Sequence, residues 1–374
     1  MKIQNMKAWL AAALLMVAGG ADAQHAPRLL GGDLSMLPVY EEAEVVYRDY
    51  GGKPVELLPW LKSQGWNTVR VRLFVNPENA SDQHKGEGVC QDLDYVLRFA
   101  RQIKAAGLQW MLDFHYSDTW ADPGKQFIPK AWEGLEADVM ADSVYQHTRQ
   151  TLVTLRKAGV DPRYIQVGNE ITNGMLWPTA KVNPYKDANW QVLAQMVRSG
   201  VKACREVCPD AQLIIHTEKA GDTKATCLYY ERLKQLDVDY DVIGLSYYPM
   251  WHGTIPHLGH TLDSLTTLFP EKPIMIVEAA AYYSHENDPW AKDPNQFAEF
   301  FPISVQGQLM FTRQLVQLLN RHPQVTGLFW WFPEENGCDN EVCPGWLNRG
   351  LFDNHSGKAL PAMRELRRFV QRGR

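Results

Sequence analysis

The sequence predicts an α/β protein built as one (β/α)8 TIM barrel, and three observations carry that expectation. Short apolar runs suited to buried strands alternate with amphipathic helical stretches eight times along the chain. Several runs finish in charged or aromatic residues, the pattern expected where parallel strand ends converge on one mouth. No G-x-G-x-x-G fingerprint and no G-x-S-x-G elbow follows a strand, so an open doubly wound sheet would have no site to explain. At 374 residues with 45% hydrophobic content the chain can bury a large core, and no linker, repeat or low-complexity tract divides it.

The elements follow in order. Arg28 to Leu34 reads as a first strand ending at Asp33, and Pro54 to Ser63 as a helix stopped by Gly65. Asn67 to Val75 is a second strand with alternating arginines; the helix Leu93 to Ala106 ends at Gly107, and Leu108 to Phe114 is a third strand running into His115. Val139 to Lys157 is helical and Gly159 closes it, before a fourth strand from Arg163 to Glu170. Trp190 to Val207 is a helix stopped by Pro209, Gln212 to His216 a fifth strand, and Cys227 to Leu236 a helix. Asp241 to Ser246 is the sixth strand, Thr261 to Phe269 a helix, Pro273 to Glu278 the seventh strand and Gln306 to Asn320 an amphipathic helix. Val325 to Trp331 is the eighth strand, and Ala359 to Gln371 closes the chain as a helix.

The first residues read as a targeting signal. Lys2 and Lys7 precede an apolar run from Ala8 to Gly20, and Ala21-Asp22-Ala23 has the small residues a signal peptidase reads. Residues 1–23 are therefore expected to be removed, leaving a mature barrel of residues 24–374 exported to the periplasm or beyond the cell. The run is shorter than the roughly 18 apolar residues of a spanning helix. A net charge of −5 gives no electrostatic footprint for nucleic acid, and the mature form is expected to bind neither nucleic acid nor membrane and to be a monomer. Export permits disulfides among Cys90, Cys204, Cys208, Cys227, Cys338 and Cys343; the expected bridge is Cys338 with Cys343, across the short loop Asp339 to Val342. A zinc site is the weaker reading, because no paired C-x-x-C or nearby histidines complete one.

The candidate site lies in two strand tips. Ile165-Gln166-Val167-Gly168-Asn169-Glu170 and Ile274-Met275-Ile276-Val277-Glu278 are apolar runs ending in a glutamate, which is out of place on a strand buried on both faces unless it meets a cleft. Each glutamate alone could be an ordinary salt-bridge partner; as a pair they suit general acid/base work. Other strand ends add Arg70, Asp113, His115, Asn169, Tyr247, Tyr248, Trp330 and Trp331, and the loops add Trp120, Trp132, Trp177, Trp251 and Trp346. Some tryptophans must be core, yet flat apolar rings beside donors and acceptors fit a sugar, whose C–H face stacks while its hydroxyls hydrogen-bond. His115 has no H-x-H or H-E-x-x-H partner, so neither a metal nor a cofactor is expected. Arg70 is either a structural arginine or the group that keeps Glu278 ionised.

These residues resemble the endo-β-1,4-galactanases of glycoside hydrolase family 53 over nearly the whole mature chain. The most specific stretch is Asp113-Phe114-His115-Tyr116-Ser117-Asp118-Thr119-Trp120-Ala121-Asp122-Pro123-Gly124-Lys125-Gln126. It is joined by Gly32-Asp33-Leu34-Ser35, Val69-Arg70-Val71-Arg72, Val167-Gly168-Asn169-Glu170-Ile171, Ser246-Tyr247-Tyr248-Pro249 and Val277-Glu278. The resemblance implies a retaining barrel with Glu170 as acid/base and Glu278 as nucleophile, Asn169 at the sugar 2-hydroxyl, and Trp331 beneath the sugar being cleaved. The implied substrate is the β-1,4-galactan of pectin. A related glycanase of the same chemistry acting on mannan or xylan, and a carbohydrate-binding protein without catalysis, are the alternatives. Phe332-Pro333 stands where the family usually has Glu-Pro, and Ala279-Ala280-Ala281 where polar residues are usual. Some bacterial relatives bind calcium after strand seven, but Glu286, Asp288 and Asp293 do not form a recognisable ligand set. A retaining mechanism requires carboxyl groups about 5–5.5 Å apart.

Overall fold

A computed structural model describes residues 28–286 and 298–371 together with 293 and 295; the expected signal segment and Asp288 lie outside the described residues. Eight parallel strands close into a barrel in simple chain order. They are β1 (Leu29–Asp33), β2 (Thr68–Leu73), β3 (Gln109–Phe114), β4 (Tyr164–Val167), β5 (Gln212–Thr217), β6 (Val242–Tyr247), β7 (Ile274–Ala279) and β8 (Val325–Trp331). β1 pairs with both β2 and β8, which completes the ring. Gly31 allows this close pairing, since a Cβ there would stand 2.0 Å from the carbonyl oxygen of Thr68.

Alternation along the strands divides the core in two. Leu29, Met111, Ile214, Val242, Met275, Val277 and Phe329 form a separate apolar plug inside the barrel, while Val69, Val71, Leu112, Ile165, Val167, Leu213, Ile215, Ile243, Leu245, Ile274 and Ile276 face the helical shell. Further along the inward register the plug gives way to polar groups: Arg70, Asp113, Gln166, His216 and Ser246, all buried. The barrel is thus apolar below and polar at its C-terminal mouth.

Strict alternation would turn Glu278 outward, because Val277 already points into the plug. Pairing of β6 with β7 skips one residue, from Leu245 with Ile276 to Ser246 with Glu278, and this bulge turns Glu278 into the barrel. β4 ends sooner than its apolar pattern suggests. Gly168 has φ +93° and breaks the strand after Val167, so Glu170 stands on a turn beyond the strand rather than at its tip.

The shell elements begin where capping side chains allow. The helix Leu93–Ala105 is capped by Asp92, which accepts from the Tyr95 amide, and Val305–Arg321 by Ser304. The helix expected from Cys227 begins earlier, at Thr223, because Asp222 caps it. The helix expected from Thr261 begins at Ile255, where Thr254 forms a capping box with His257. The closing helix shortens to Ala362–Leu366 followed by a 3-10 turn. The Cys338–Cys343 bridge is not formed, and all six cysteines are free. The Asn340 side chain closes that loop instead, donating to the carbonyls of Asn336 and Cys338 and accepting from Val342 N. Among the described residues, no helix is long and apolar enough to cross a membrane.

Candidate active site

Glu278 is held by two donors. Arg70 Nη2 lies 2.8 Å from Oε1, and the Tyr248 hydroxyl donates to Oε2 at 2.6 Å. Arg70 is itself fixed from every side, by Asp33 at 2.6 Å, Asp113 at 2.9 Å, Gln166 at 2.8 Å and Asn169 Oδ1 at 2.8 Å. Arg72 meets the other oxygen of Asp33 at 3.0 Å. Burial raises the Glu278 carboxyl, and Arg70 and Tyr248 pull it back, leaving it at about 6. At neutral pH this carboxylate is charged.

Among the described residues no cation pairs with Glu170. Its Oε1 accepts from the Ser246 hydroxyl at 2.6 Å, and burial, then the charges of Glu278 and Glu218, push its carboxyl well above the usual range. Ser246 is oriented by His216, whose Nε2 lies 2.8 Å from Oγ. His216 Nδ1 faces two donors, the Gln166 side-chain amide at 3.0 Å and the Glu170 backbone amide at 3.3 Å, and one acceptor, Asn169 Oδ1 at 3.0 Å; the tautomer with the proton on Nε2 satisfies both donors. With Oε1 accepting from Ser246, the proton of Glu170 resides on Oε2. Glu170 also adopts φ 49°, ψ 50°, a left-handed conformation that costs a residue with a side chain on the order of 1 kcal/mol and is characteristic of functional sites.

Glu170, His216 and Glu278 each place an oxygen or nitrogen within 4.8 Å of the others. Both His216 nitrogens are committed to hydrogen bonds, so the three are organised around a proton path. At least one oxygen of Glu170 and one of Glu278 therefore lie within 4.8 Å of each other.

The pair opens into a cleft of about 600 Å³ walled by Trp120, Trp331, Trp346, Tyr248, Trp251 and Arg349. Trp120 Nε1 is buried without an acceptor among the described residues. Of the residues singled out in the sequence, Arg70, Asp113, Asn169, Glu170, Tyr248, Glu278, Trp120 and Trp331 converge here. Asn169 accepts from Arg70 and donates to the Ala121 carbonyl at 2.8 Å. His115 lies beneath the wall: Nδ1 accepts from the Ala121 amide, Nε2 meets Asp113 at 3.1 Å, and the ring packs on Phe74 and Trp120. It positions Trp120 and has no edge left for a sugar. Tyr247 does not reach the cleft. Ser246 takes the inward position, so Tyr247 faces the shell, stacked on Phe311 and donating to the Gly253 carbonyl. Trp330 likewise faces outward, and Trp132 packs on His147. Trp177 borders a separate groove beyond Pro123 and Gly124. The sequence reading passed over Gln166, His216, Ser246 and Glu218, although each is a polar residue within or just after an apolar run.

Comparison with known proteins agrees with this geometry. The family model Glycosyl hydrolase family 53 matches residues 29–366. An arabinogalactan endo-β-1,4-galactanase of Cellvibrio japonicus is 33% identical over 94% of this chain and 95% of its own length. An endo-β-1,4-galactanase of Bacillus subtilis is 31% identical over 81% of this chain and 69% of its own. Among solved structures, the family 53 catalytic domain of Ignisphaera aggregans superposes with a TM-score of 0.82 at 30% identity, covering 92% of this chain and 96% of that one. A Thermotoga maritima xylanase, 14% identical with a TM-score of 0.56, shares the fold. The closed barrel, the paired glutamates and the match across almost the whole described chain place this protein in glycosyl hydrolase family 53.

Proposed function

We propose that this protein is a retaining endo-glycosidase that hydrolyses internal β-1,4-galactosidic bonds of pectic galactan after export through a cleaved signal peptide. The observation that carries the mechanism is the separation of Glu170 and Glu278, with ligand-type atoms within 4.8 Å and opposite electrostatic surroundings. The galactan substrate rests on the relatives, named for activity on galactan and arabinogalactan. Export rests on the apolar run Ala8 to Gly20.

In the first half-reaction Glu278 attacks the anomeric carbon. The bond to the leaving oxygen breaks as Glu170 passes its proton to that oxygen, giving a glycosyl ester on Glu278 and a free sugar hydroxyl. Esterification removes the charge that kept Glu170 protonated, so its carboxyl falls and it takes a proton from water. The water oxygen displaces Glu278, and both groups return to their starting states. Asn169 Nδ2 keeps a second hydrogen for the 2-hydroxyl next to the nucleophile. Trp331 floors the sugar.

Reducing-end release assayed on linear galactan, mannan and xylan tests the substrate. Cleavage of galactan is expected, and cleavage confined to mannan or xylan would refute the choice of polymer. A Glu278→Ala variant should lose turnover and regain part of it with added azide, giving a product of inverted configuration; undiminished turnover would remove the nucleophile assignment. N-terminal sequencing of exported protein is expected to begin near Gln24.

A further inference from the structure

The loop after β8 carries two cysteines that face different neighbours. Cys338 Sγ reaches the His355 carbonyl at 3.3 Å and the Asp339 carboxylate at 3.6 Å. Cys343 is buried against the loop after β2: its Sγ lies 3.3 Å from the point where a Cβ on Gly88 would stand, and Met36 Sδ lies 2.9 Å from the same point. Gly88 has φ +98° and no side chain, so this loop can settle directly on Cys343. Cys90, two residues further on, places its Sγ 4.0 Å from that same Met36 Sδ. Two thiols, from the loops that follow the two neighbours of β1 in the barrel, thus border one glycine and one thioether.

The surroundings hold both residues in this arrangement. Gln91, fully buried, directs Nε2 at Cys90 Sγ (3.2 Å), Met36 Sδ (3.1 Å) and the Ser35 carbonyl (3.2 Å). Arg72 donates to the Gly88 carbonyl at 3.3 Å, and Trp346, three residues past Cys343, donates from Nε1 to the Glu87 carbonyl at 2.9 Å. Cys343 itself adopts φ 45°, ψ 54°, a left-handed conformation that persists only where the neighbours over-determine it. Burial pushes the Cys90 thiol up to about 11 and the Cys343 thiol up to about 12, against the pull of Arg72, and a charge on Cys90 would raise Cys343 further. Thiolates are the species that exchange, so once the two loops have closed, both sulfurs react slowly at neutral pH.

We infer that Cys90 and Cys343 become joined by a disulfide in the exported protein, tying the loop after β2 to the loop after β8. This rests on the export read from residues 1–23, which takes the chain to a compartment where disulfides persist. The step is an exchange with a disulfide-form thiol oxidant of that compartment, made while the loops are still open. Cys90 as thiolate attacks the oxidant and releases one thiol; Cys343 as thiolate then attacks Cys90 of the mixed disulfide and releases the second. The two protein thiols give up two electrons and two protons, and the oxidant takes up both. Closing the loops then shelters the bond. It also anchors Trp346, whose ring meets Trp331 and Trp120 edge-on at 5.2 and 6.3 Å, and so fixes one wall of the cleft.

Peptide mapping of the exported protein without reductant, after free thiols are blocked by alkylation, is expected to recover the peptides of Cys90 and Cys343 linked to each other. Alkylation of both residues, or a link from either to another cysteine such as Cys338, would overturn the bond. Cys90→Ser should lower the midpoint of thermal unfolding by about 3–6 °C without reductant, and the difference should vanish when variant and parent are both refolded in excess dithiothreitol. Cys338→Ser, which breaks no bond, should melt with the parent. An equal loss for Cys90→Ser with and without reductant would assign the effect to packing and overturn the tie between the loops. Refolding the reduced chain in a mixture of reduced and oxidised glutathione tests the pairing apart from export. A chain that begins near Gln24 yet keeps both thiols free refutes the bond and leaves export standing; a chain retained in the cell that forms the bond on refolding refutes export and leaves the pairing standing.

Discussion

Replacing Tyr248 by phenylalanine isolates one interaction at the proposed nucleophile, Glu278. The hydroxyl donates to Glu278 Oε2 at 2.6 Å, a charge-assisted bond in a site where both groups are buried, while the ring keeps its edge contact with Trp331 at 6.4 Å. A hydrogen bond to a charged group contributes about 1.5–3 kcal/mol, and each pKa unit corresponds to about 1.4 kcal/mol, so losing it should raise the Glu278 carboxyl by roughly one to two units. The sign follows from the charge: the bond favours the carboxylate, so its removal favours the acid. Glu278 stands at about 6, and attack requires its ionised form. The acidic limb of kcat/KM against pH should therefore move from near 6 to roughly 7–8. At pH 5 the variant should be about ten- to a hundredfold slower than the parent, with the gap closing as pH rises past the new limb. Initial rates of reducing-sugar release across a pH series, with circular dichroism to confirm the fold, measure this. A uniform loss at every pH with the limb unmoved would show that the hydroxyl serves the sugar in the transition state rather than the charge of Glu278.

Two other substitutions probe buried protons. The Ser246 hydroxyl donates to Glu170 and lowers its carboxyl, so Ser246→Ala should raise it further and move the alkaline limb of the same profile to higher pH; a shift to lower pH would contradict the hydrogen-bond direction. Glu334 is fully buried, with Oε1 accepting from the Met36 amide at 3.0 Å and Oε2 unmatched, and burial followed by the charge of Asp33 raises it well above the usual range. Its stabilising contribution is complete below the unfolded value near 4.5 and is lost as pH rises through the folded value. Glu334→Gln keeps the Met36 acceptor and abolishes that loss. The variant should be more stable than the parent by at least about 1 kcal/mol at pH 9 and lose the advantage by pH 4, read from urea unfolding at each pH.

The strands were legible because a strand buried on both faces writes its apolar run into the sequence, and Arg70, Glu170 and Glu278 stood out as charges at the ends of such runs. What was hidden is phase. A one-residue difference decides that Tyr248 reaches Glu278 while Tyr247 packs on Phe311, and no side-chain chemistry separates two adjacent tyrosines. The bulge that turns Glu278 inward is equally silent, since Met275-Ile276-Val277 reads the same with or without it. Gln166, His216 and Ser246 did leave a signal, as polar residues inside or closing apolar runs. Glu218 left the same signal as Glu170, a carboxylate just past a strand, and was passed over. The expected cysteine bridge failed for a different reason: spacing across a short loop cannot reveal that Asn340 already closes it.

The buried charges explain why the two glutamates differ in their hold on a proton. Asp33, Asp113 and Glu278 surround Arg70, and Arg72 adds a second cation through Asp33, so the cluster carries one formal negative charge in excess. An excess charge in a buried mouth is expensive, and a further one on Glu170, with its ligand atom within 4.8 Å, would be more so. Glu170 therefore keeps its proton, and the neutral His216–Ser246 pair beside it offers hydrogen bonds without a compensating cation. In the proposed reaction, once Glu278 becomes an ester the excess disappears, three formal charges having become two against two arginines. The obstacle to ionising Glu170 goes with it. In the proposed reaction the arginines that hold Glu278 charged therefore also keep the proton on Glu170 until the ester forms, which orders the two half-reactions.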